Sequence, residues 1–248
     1  MMMFIISHEL YDLEINPGGS ALWLYRPKPL GSSHLIQAPV YEIDGQVTPA
    51  QVTAFAEFRP MKNLSNGCSE YAFAGSLVAL PGVTLQLVLR TAPGSPIVRF
   101  QYMLTSQQVH HLTKTNARDL LIYARTCFDN LPQVTEVTLA EFNEMTHSYG
   151  LTERGVPASA FDFGLTLGGP IVVGSSGVET LLMAYEHGSN TPNTYVHFRL
   201  ATVQPAGGVL ESKSGETLLL PSHGCGHQML SIQAAKGNYF HGQSIDPQ

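Results

Sequence analysis

The sequence predicts an all-β fold, a large antiparallel sandwich of two packed sheets, and three observations carry this prediction. Charged residues make up 13% of the chain, whereas soluble domains average about 25%. The 23 glycines and 16 prolines are typical of a turn-rich chain of strands. No stretch predicts the long helices that a parallel α/β architecture or a TIM barrel needs between its strands.

Two consecutive segments show the alternation of a half-buried strand. Val83, Leu85, Leu87 and Leu89 occupy every second position, and this period of two gives one buried face. After a Pro-Gly-Ser-Pro breaker the alternation resumes over 98–104, so we expect the two segments to pair antiparallel. Further strands are predicted at Leu22–Tyr25, Tyr71–Leu80, Leu120–Phe128, Val134–Leu139, Tyr195–Leu200, Glu216–Leu220 and Met229–Ile232.

The segment Val178–Tyr185 is apolar almost throughout and predicts a central strand that is buried on both sides. It follows a Gly-Ser-Ser-Gly turn and ends in the polar cluster Tyr185–Ser189. Polar groups at the end of a buried strand are held by a rigid scaffold, which is where functional sites tend to lie.

One segment competes with the all-β interpretation. Thr138–Glu141 has the spacing of a helix capping box ahead of Phe142 and Met145. A short helix there is therefore the alternative to continuation of the predicted strand.

Length and charge limit the organisation and the partners. The 248 residues predict a single domain over 1–248. A net charge of −6 leaves no basic stripe for phosphates, so we expect no nucleic acid partner. No apolar run is long enough to span a membrane, and the three cysteines cannot all pair within the chain. Localisation is unknown from these features and leans cytoplasmic.

His223, Cys225 and His227 are the candidate metal ligands, because imidazole and thiolate both bind zinc. The intervening glycines fit a loop with a packed free thiol equally well, and zinc sites usually draw on further ligands from elsewhere in the chain. We therefore expect no metal and no cofactor. The pair His110–His111 is a weaker instance of the same pattern.

Two carboxylate–imidazole combinations could act as an acid and a base: Glu186 with His187, and Glu144 with His147. Adjacent strand residues point to opposite faces, which argues against joint action of Glu186 and His187 unless the strand has ended. Each carboxylate could instead form a structural ion pair.

Aromatic side chains could stack on a sugar ring while polar groups bind its hydroxyls. The only tryptophan, Trp23, and the group Tyr185, Tyr195 and Phe198 have strand spacing, however, which fits core packing as well.

Three segments together resemble a known family: 133–149, with QVTEV and EFNEMTHSY, then AYEHGS at 184–189, and AKGNYF at 235–240. They are similar to the N-terminal β-supersandwich domain of glycoside hydrolase family 36, the melibiase-type α-galactosidases, which has a galactose-mutarotase-like fold. The resemblance implies that a C-terminal catalytic barrel is missing here, because that barrel carries the two aspartates of a retaining mechanism.

The resemblance therefore predicts a non-catalytic domain of an α-galactosidase-like enzyme of carbohydrate metabolism, inactive alone, with the barrel as its partner. No catalytic residue is assigned under this hypothesis. A stand-alone mutarotase-type enzyme is the alternative, with His147, Glu186 and His187 as its candidate catalytic residues. A carbohydrate-binding module is the second alternative. A homo-oligomer and a galactoside ligand are left open.

Overall fold

A computed structural model of the chain describes residues 2–18, 21–28, 32–113, 121–128, 132–143, 145, 148–162, 165–167, 171–176, 179–185, 196–203, 207–214, 218–220, 225–226 and 230–236, with only the backbone for parts of the later strands. These residues form 22 strands and one short 3-10 helix, Ala158–Phe161. The predicted all-β fold is confirmed. Within the described ranges, no helix has the length and apolar character needed to cross a bilayer.

The strands form two antiparallel sheets. Sheet 1 has 12 strands: β1 Phe4–Ser7, β2 Tyr11–Ile15, β3 Ala21–Pro27, β4 His34–Gln37, β5 Val40–Ile43, β6 Gln46–Pro49, β11 His110–Thr113, β12 Leu121–Phe128, β15 Thr166–Leu167, β18 Val196–Val203, β19 Gly207–Ser214 and β20 Leu218–Leu220. Its main order is β1-β2-β3-β4-β12-β19-β18-β15, and β5 joins it beside β12 and β11.

Sheet 2 has 10 strands: β7 Ala56–Asn63, β8 Ser69–Ser76, β9 Val83–Thr91, β10 Val98–Ser106, β13 Gln133–Asn143, β14 Ser148–Val156, β16 Ile171–Ser175, β17 Glu179–Tyr185, β21 Cys225–Gly226 and β22 Leu230–Lys236. Its order is β14-β13-β16-β17-β22-β10-β9-β8-β7, with β21 beside β10. Strands β7 and β14 therefore form the two edges of sheet 2.

One hydrophobic core lies between the sheets. The alternating residues of β9 and β10 face it, and Val83, Leu85 and Leu87 are fully buried. Trp23 of sheet 1 packs edge-on against Phe100 of sheet 2, with ring centroids 5.1 Å apart. Among the described residues, both sheets thus contribute to the same core.

A glycine makes room for an aromatic ring of the other sheet. A β-carbon at Gly174 of β16 would lie 3.0 Å from Cζ of Phe128 in β12, which is closer than side chains normally pack. The first glycine of the predicted Gly-Ser-Ser-Gly turn is therefore a strand residue that makes room for an aromatic ring.

The two segments at 83–90 and 98–104 do pair antiparallel, with Leu89 opposite Phe100. The strand predicted at 71–80 is shorter, because β8 ends at Ser76. The other predicted strands are found where the structure describes them, and positions 120, 178, 195, 216–217 and 229 lie outside the described residues. Strand β17 is central as expected, between β16 and β22. The alternative of a short helix at 138–141 is wrong, because β13 continues as a strand to Asn143 with a register shift between Leu139 and Phe142. Pairing with β14 on one side prevails over the local capping pattern.

Candidate functional site

The catalytic candidates of the mutarotase hypothesis lie outside the described residues: His147, Glu186 and His187. The same holds for Glu144. The backbone of β17 is described as far as Tyr185, which pairs with Leu230 of β22. Those residues remain candidates by sequence alone.

Of the metal candidates, only the backbone of Cys225 is described, in β21 beside Leu104 of β10. His223 and His227 lie outside the described ranges. Among the side chains that the structure describes, no group of three or more His, Cys, Asp or Glu residues could hold a metal ion.

The aromatic candidates divide in a similar way. Trp23 and Phe198 are fully buried in the core, so neither ring is available to stack on a sugar. The side chains of Tyr185 and Tyr195 are not among the described ones.

The most distinctive polar cluster joins the two sheets near the turn that precedes β17. Glu179, the first residue of β17, accepts a hydrogen bond from the hydroxyl of Ser32, just ahead of β4. Its other oxygen, Oε1, lies 3.3 Å from Nε2 of His34, the first residue of β4. The side chains of His34 and Glu179 are 5% and 14% exposed. A carboxylate, an imidazole and a hydroxyl therefore meet across the sandwich.

This cluster contains the groups of an acid–base pair, but both side chains are largely buried, as in a structural contact between sheets. Burial alone raises the pKa of Glu179, but the neighbouring imidazole of His34 and the hydroxyl of Ser32 outweigh it and hold the pKa below its ordinary value. The carboxylate is therefore ionised at neutral pH and already engaged on both oxygens. The ring of Tyr25 stacks near His34, with centroids 6.1 Å apart. We interpret the cluster as a connection between the sheets.

A second carboxylate–imidazole pair lies in sheet 1. Nδ1 of His110 is 2.6 Å from Oδ2 of Asp44, at the tip of the β5–β6 hairpin. Asp44 and Gly45 have positive φ angles of 52° and 78°, as a two-residue type I′ turn requires. Because the His110 side chain is 10% exposed, this pair anchors the hairpin to β11.

Two further buried carboxylates, Glu70 and Glu136, are bonded to arginines. Glu70 bonds to Arg59 and Arg90 at 2.5 and 2.8 Å. Glu136, which is 3% exposed, accepts a hydrogen bond from Nε of Arg154 at 3.0 Å. Such charge-assisted bonds hold a carboxylate in a fixed orientation.

Sequence reasoning did not find His34, Ser32 or Asp44 as members of polar clusters. His34 and Glu179 lie 145 positions apart in the chain, and no local pattern marks either of them. The Gly-Ser-Ser-Gly segment, two residues before Glu179, is the local sequence signal nearest to this cluster.

No protein-family model and no curated protein matches the sequence. Solved structures match its fold. The α-galactosidase AgaA of glycoside hydrolase family 36 from Geobacillus stearothermophilus aligns with 95% of this chain at a TM-score of 0.64 and 8% identity. The chain shares the fold of part of a family 36 α-galactosidase.

Two further structures agree with that assignment of fold. The α-galactosidase from Lactobacillus brevis aligns with 95% of the chain at a TM-score of 0.62 and 7% identity. The α-N-acetylgalactosaminidase NagBb from Bifidobacterium bifidum does so over 95% at 0.54 and 9%. This chain spans only 41%, 39% and 36% of the three proteins, respectively. The resemblance to the β-sandwich part of family 36 is thus confirmed at the level of fold.

Proposed function

We propose that this chain is a non-catalytic β-sandwich domain of an α-galactosidase-like glycoside hydrolase, and that it supports a separate catalytic barrel. The observation that carries the proposal is the match of 95% of this chain to 41% of AgaA. A fold that accounts for less than half of an enzyme supports a role beside the catalytic unit. Assembly with the barrel, a homo-oligomer and a galactoside ligand belong to the same proposal.

The chemistry of the described carboxylates supports this role. Retaining glycosidases need two carboxyl groups about 5 Å apart across the bound sugar. Glu70, Glu136 and Glu179 are instead each held by an arginine or a histidine. A carboxylate that is already bonded to neighbouring side chains is not positioned to attack a sugar.

Hydrolysis of a chromogenic α-galactoside tests the proposal. We expect the purified chain to release no nitrophenol from 4-nitrophenyl α-galactoside above the rate of buffer alone, because the two catalytic carboxylates are not supplied by this sandwich. The complete enzyme from Geobacillus stearothermophilus is the positive control. Turnover by the chain alone at a comparable rate would refute a non-catalytic role.

Polarimetry separates this proposal from the mutarotase hypothesis. Fresh α-galactose should equilibrate at the uncatalysed rate in the presence of the chain. Faster equilibration that is lost in His147→Ala or His187→Ala would instead favour a stand-alone sugar-modifying enzyme.

A further inference from the structure

Strand β14, Ser148–Val156, forms the edge of sheet 2 opposite to β7, and its outer side is open to solvent. Among the described strands it pairs only with β13. Gly150 and Gly155 are both exposed, and because a glycine has no side chain, this exposure belongs to the main chain itself. An edge strand directs the N–H and C=O groups of alternate residues away from its sheet. Strand β14 therefore offers backbone groups with which another strand can pair.

The other edge strands are shorter or interrupted. Strand β7 contains Pro60 and two register shifts, whereas β1 has four residues and β15 has two. Strand β14 has nine residues and no proline. From Leu151 to Val156 it pairs with β13 residue by residue, and the extra residue of the shift beyond Leu151 lies in β13. A long, regular edge without proline is the kind at which chains associate.

Leu151 is the apolar side chain of this edge, and it is 64% exposed. It lies opposite Leu139 of β13, two positions from Val137, which in turn lies opposite Ile171 of β16. Residues at alternate positions of a strand share a face. The other set of alternate positions contains residues of the core between the sheets: Val134, Val156 and Val172. Leu151 is thus the exposed end of an apolar outer face, and a partner strand would cover it.

The charges of β14 restrict the register in which it can pair with a copy of itself. In an antiparallel pair of identical strands, the residue at the twofold axis lies opposite its own copy. A pair centred on Glu153 or Arg154 would place two like charges opposite each other, which is destabilising. A pair centred on Thr152 would place Leu151 opposite Glu153. A pair centred on Leu151 places leucine against leucine, and it puts the two charges opposite positions 149 and 148, which are uncharged.

The guanidinium of Arg154 does not stand in the way of such a pair. Its Nε donates a hydrogen bond to Glu136 of β13 at 3.0 Å, and Glu136 is 3% exposed. The side chain of Arg154 therefore lies toward its own sheet rather than along the open side of β14. Charged residues next to an edge limit the ways in which it can pair, and here they leave the register centred on Leu151.

We propose that β14 is a dimerisation edge, at which two copies of this chain pair antiparallel about a twofold axis at Leu151 and join their second sheets into one. The partner is a second copy because β14 complements itself in this register. The inference rests on the proposed function for the existence of a homo-oligomer, whereas the interface and its register rest on β14 alone.

The expected dimer is weak. Pairing covers residues 148–154 of each chain, and a contact of this length buries less than the roughly 1,200 Å² at which stable complexes begin. Light scattering coupled to size exclusion, over a dilution series of the full chain, should therefore give a mass that moves from two chains toward one. A chain that is monomeric at its highest soluble concentration would overturn the proposal.

Leu151→Lys tests the position of the axis. It places two ammonium groups opposite each other and removes the apolar contact, so it should weaken the dimer at least about tenfold. Val47→Lys is the matched control, since Val47 is 62% exposed on β6 of sheet 1, and it should leave the dimer unchanged. Circular dichroism checks that both variants are folded. A dimer of unaltered affinity in folded Leu151→Lys would contradict the interface.

Cysteine cross-linking tests the register. In a Cys127→Ser background, which lacks the exposed native thiol, Leu151→Cys should form an intermolecular disulfide on mild oxidation. Residues directly opposite each other have Cα atoms about 4.5–5.5 Å apart, which is within the range of a disulfide. Thr152→Cys would lie opposite position 150 and should cross-link much more slowly. The background chain gives the level due to the remaining native thiols. Faster cross-linking of Thr152→Cys would overturn the register.

These outcomes are separate from the hydrolysis assay. Turnover of an α-galactoside by the chain would refute the non-catalytic role and leave the β14 interface to be judged by cross-linking. A homo-oligomer that persists in Leu151→Lys would overturn the β14 interface and leave the proposed function in place.

Discussion

At the scale of single residues, the contact between His34 and Glu179 bears on both the stability of the fold and the interpretation of function. It joins the first residue of β4 in sheet 1 to the first residue of β17 in sheet 2. The hydroxyl of Ser32 completes it. An imidazole and a carboxylate so close together suggest catalysis, yet their burial and mutual engagement favour a structural role.

Replacing Glu179 tests this role. Glu179→Gln should lower the free energy of unfolding by roughly 1–3 kcal/mol, because it removes a charged acceptor from a nearly buried site. Urea unfolding at neutral pH measures the loss. Glu57→Gln, at an exposed position of β7, is the control and should change stability little. Equal stability of Glu179→Gln and the parent chain would show that the pair is dispensable.

The pH dependence of the same pair has a definite sign. The pKa of Glu179 lies below its ordinary value of 4.5 in the folded chain, so ionisation of this group stabilises the fold. That contribution is fully present above about pH 4.5 and is lost as the pH falls through the folded pKa. The stability difference between the parent chain and Glu179→Gln should therefore shrink as the pH is lowered from about 4.5 through the folded pKa. A difference that is constant over this range would contradict the assignment.

Single-residue roles were predictable only where they repeat along a strand. The inward positions of β9 and β10, such as Leu85 and Tyr102, follow from alternation and are fully buried. The pairing of His34 with Glu179 depends on how two distant turns meet, which no periodicity encodes.

At the scale of elements, β7 is an exposed edge strand that could pair with the edge of another chain. It forms an edge of sheet 2, and all eight of its residues are exposed. Phe58 and Met61 are 53% and 48% exposed, and an exposed apolar edge invites pairing with another chain. Pro60 and two register shifts interrupt the strand, and both devices are known to discourage such pairing.

Pro60→Val should therefore promote aggregation without destabilising the monomer. The substitution restores a backbone donor at the exposed edge and raises strand propensity between two apolar residues. Light scattering at raised concentration should increase relative to the parent chain, while the unfolding temperature at low concentration stays close to its value. Adding Met61→Lys should suppress the effect. A Pro60→Val chain that stays monodisperse would argue against this role for Pro60.

Most strands were predictable because alternation and Pro-Gly turns are local signals. The short helix at 138–141 was not excluded by such signals, since its capping pattern is also local. It is overruled by pairing of β13 with β14, which holds Thr138 and Leu139 and resumes at Phe142. A helix there would give up the hydrogen bonds of this ladder.

At the scale of the whole molecule, the described parts of both sheets share one hydrophobic core. Trp23 in β3 donates a hydrogen bond from Nε1 to the hydroxyl of Tyr102 in β10 at 2.9 Å, and both side chains are fully buried. Burial raises the pKa of Tyr102 far above its ordinary value, although the bond from Trp23 lowers it somewhat. The phenol therefore stays neutral and cannot be replaced here by a charged group.

The single-domain organisation over 1–248 remains a prediction, and the one tryptophan of the chain provides its test. Because Trp23 lies between the sheets, its fluorescence reports their separation, whereas far-UV circular dichroism reports the strands themselves. We expect the two signals to change at the same urea concentration, as a single cooperative unit requires. Tyr102→Phe leaves the indole N–H without its partner and should cost about 1–2 kcal/mol, moving both transitions together. Separate transitions would divide the chain into two units, and a shift in the fluorescence signal alone would show that the sheets come apart before their strands unfold.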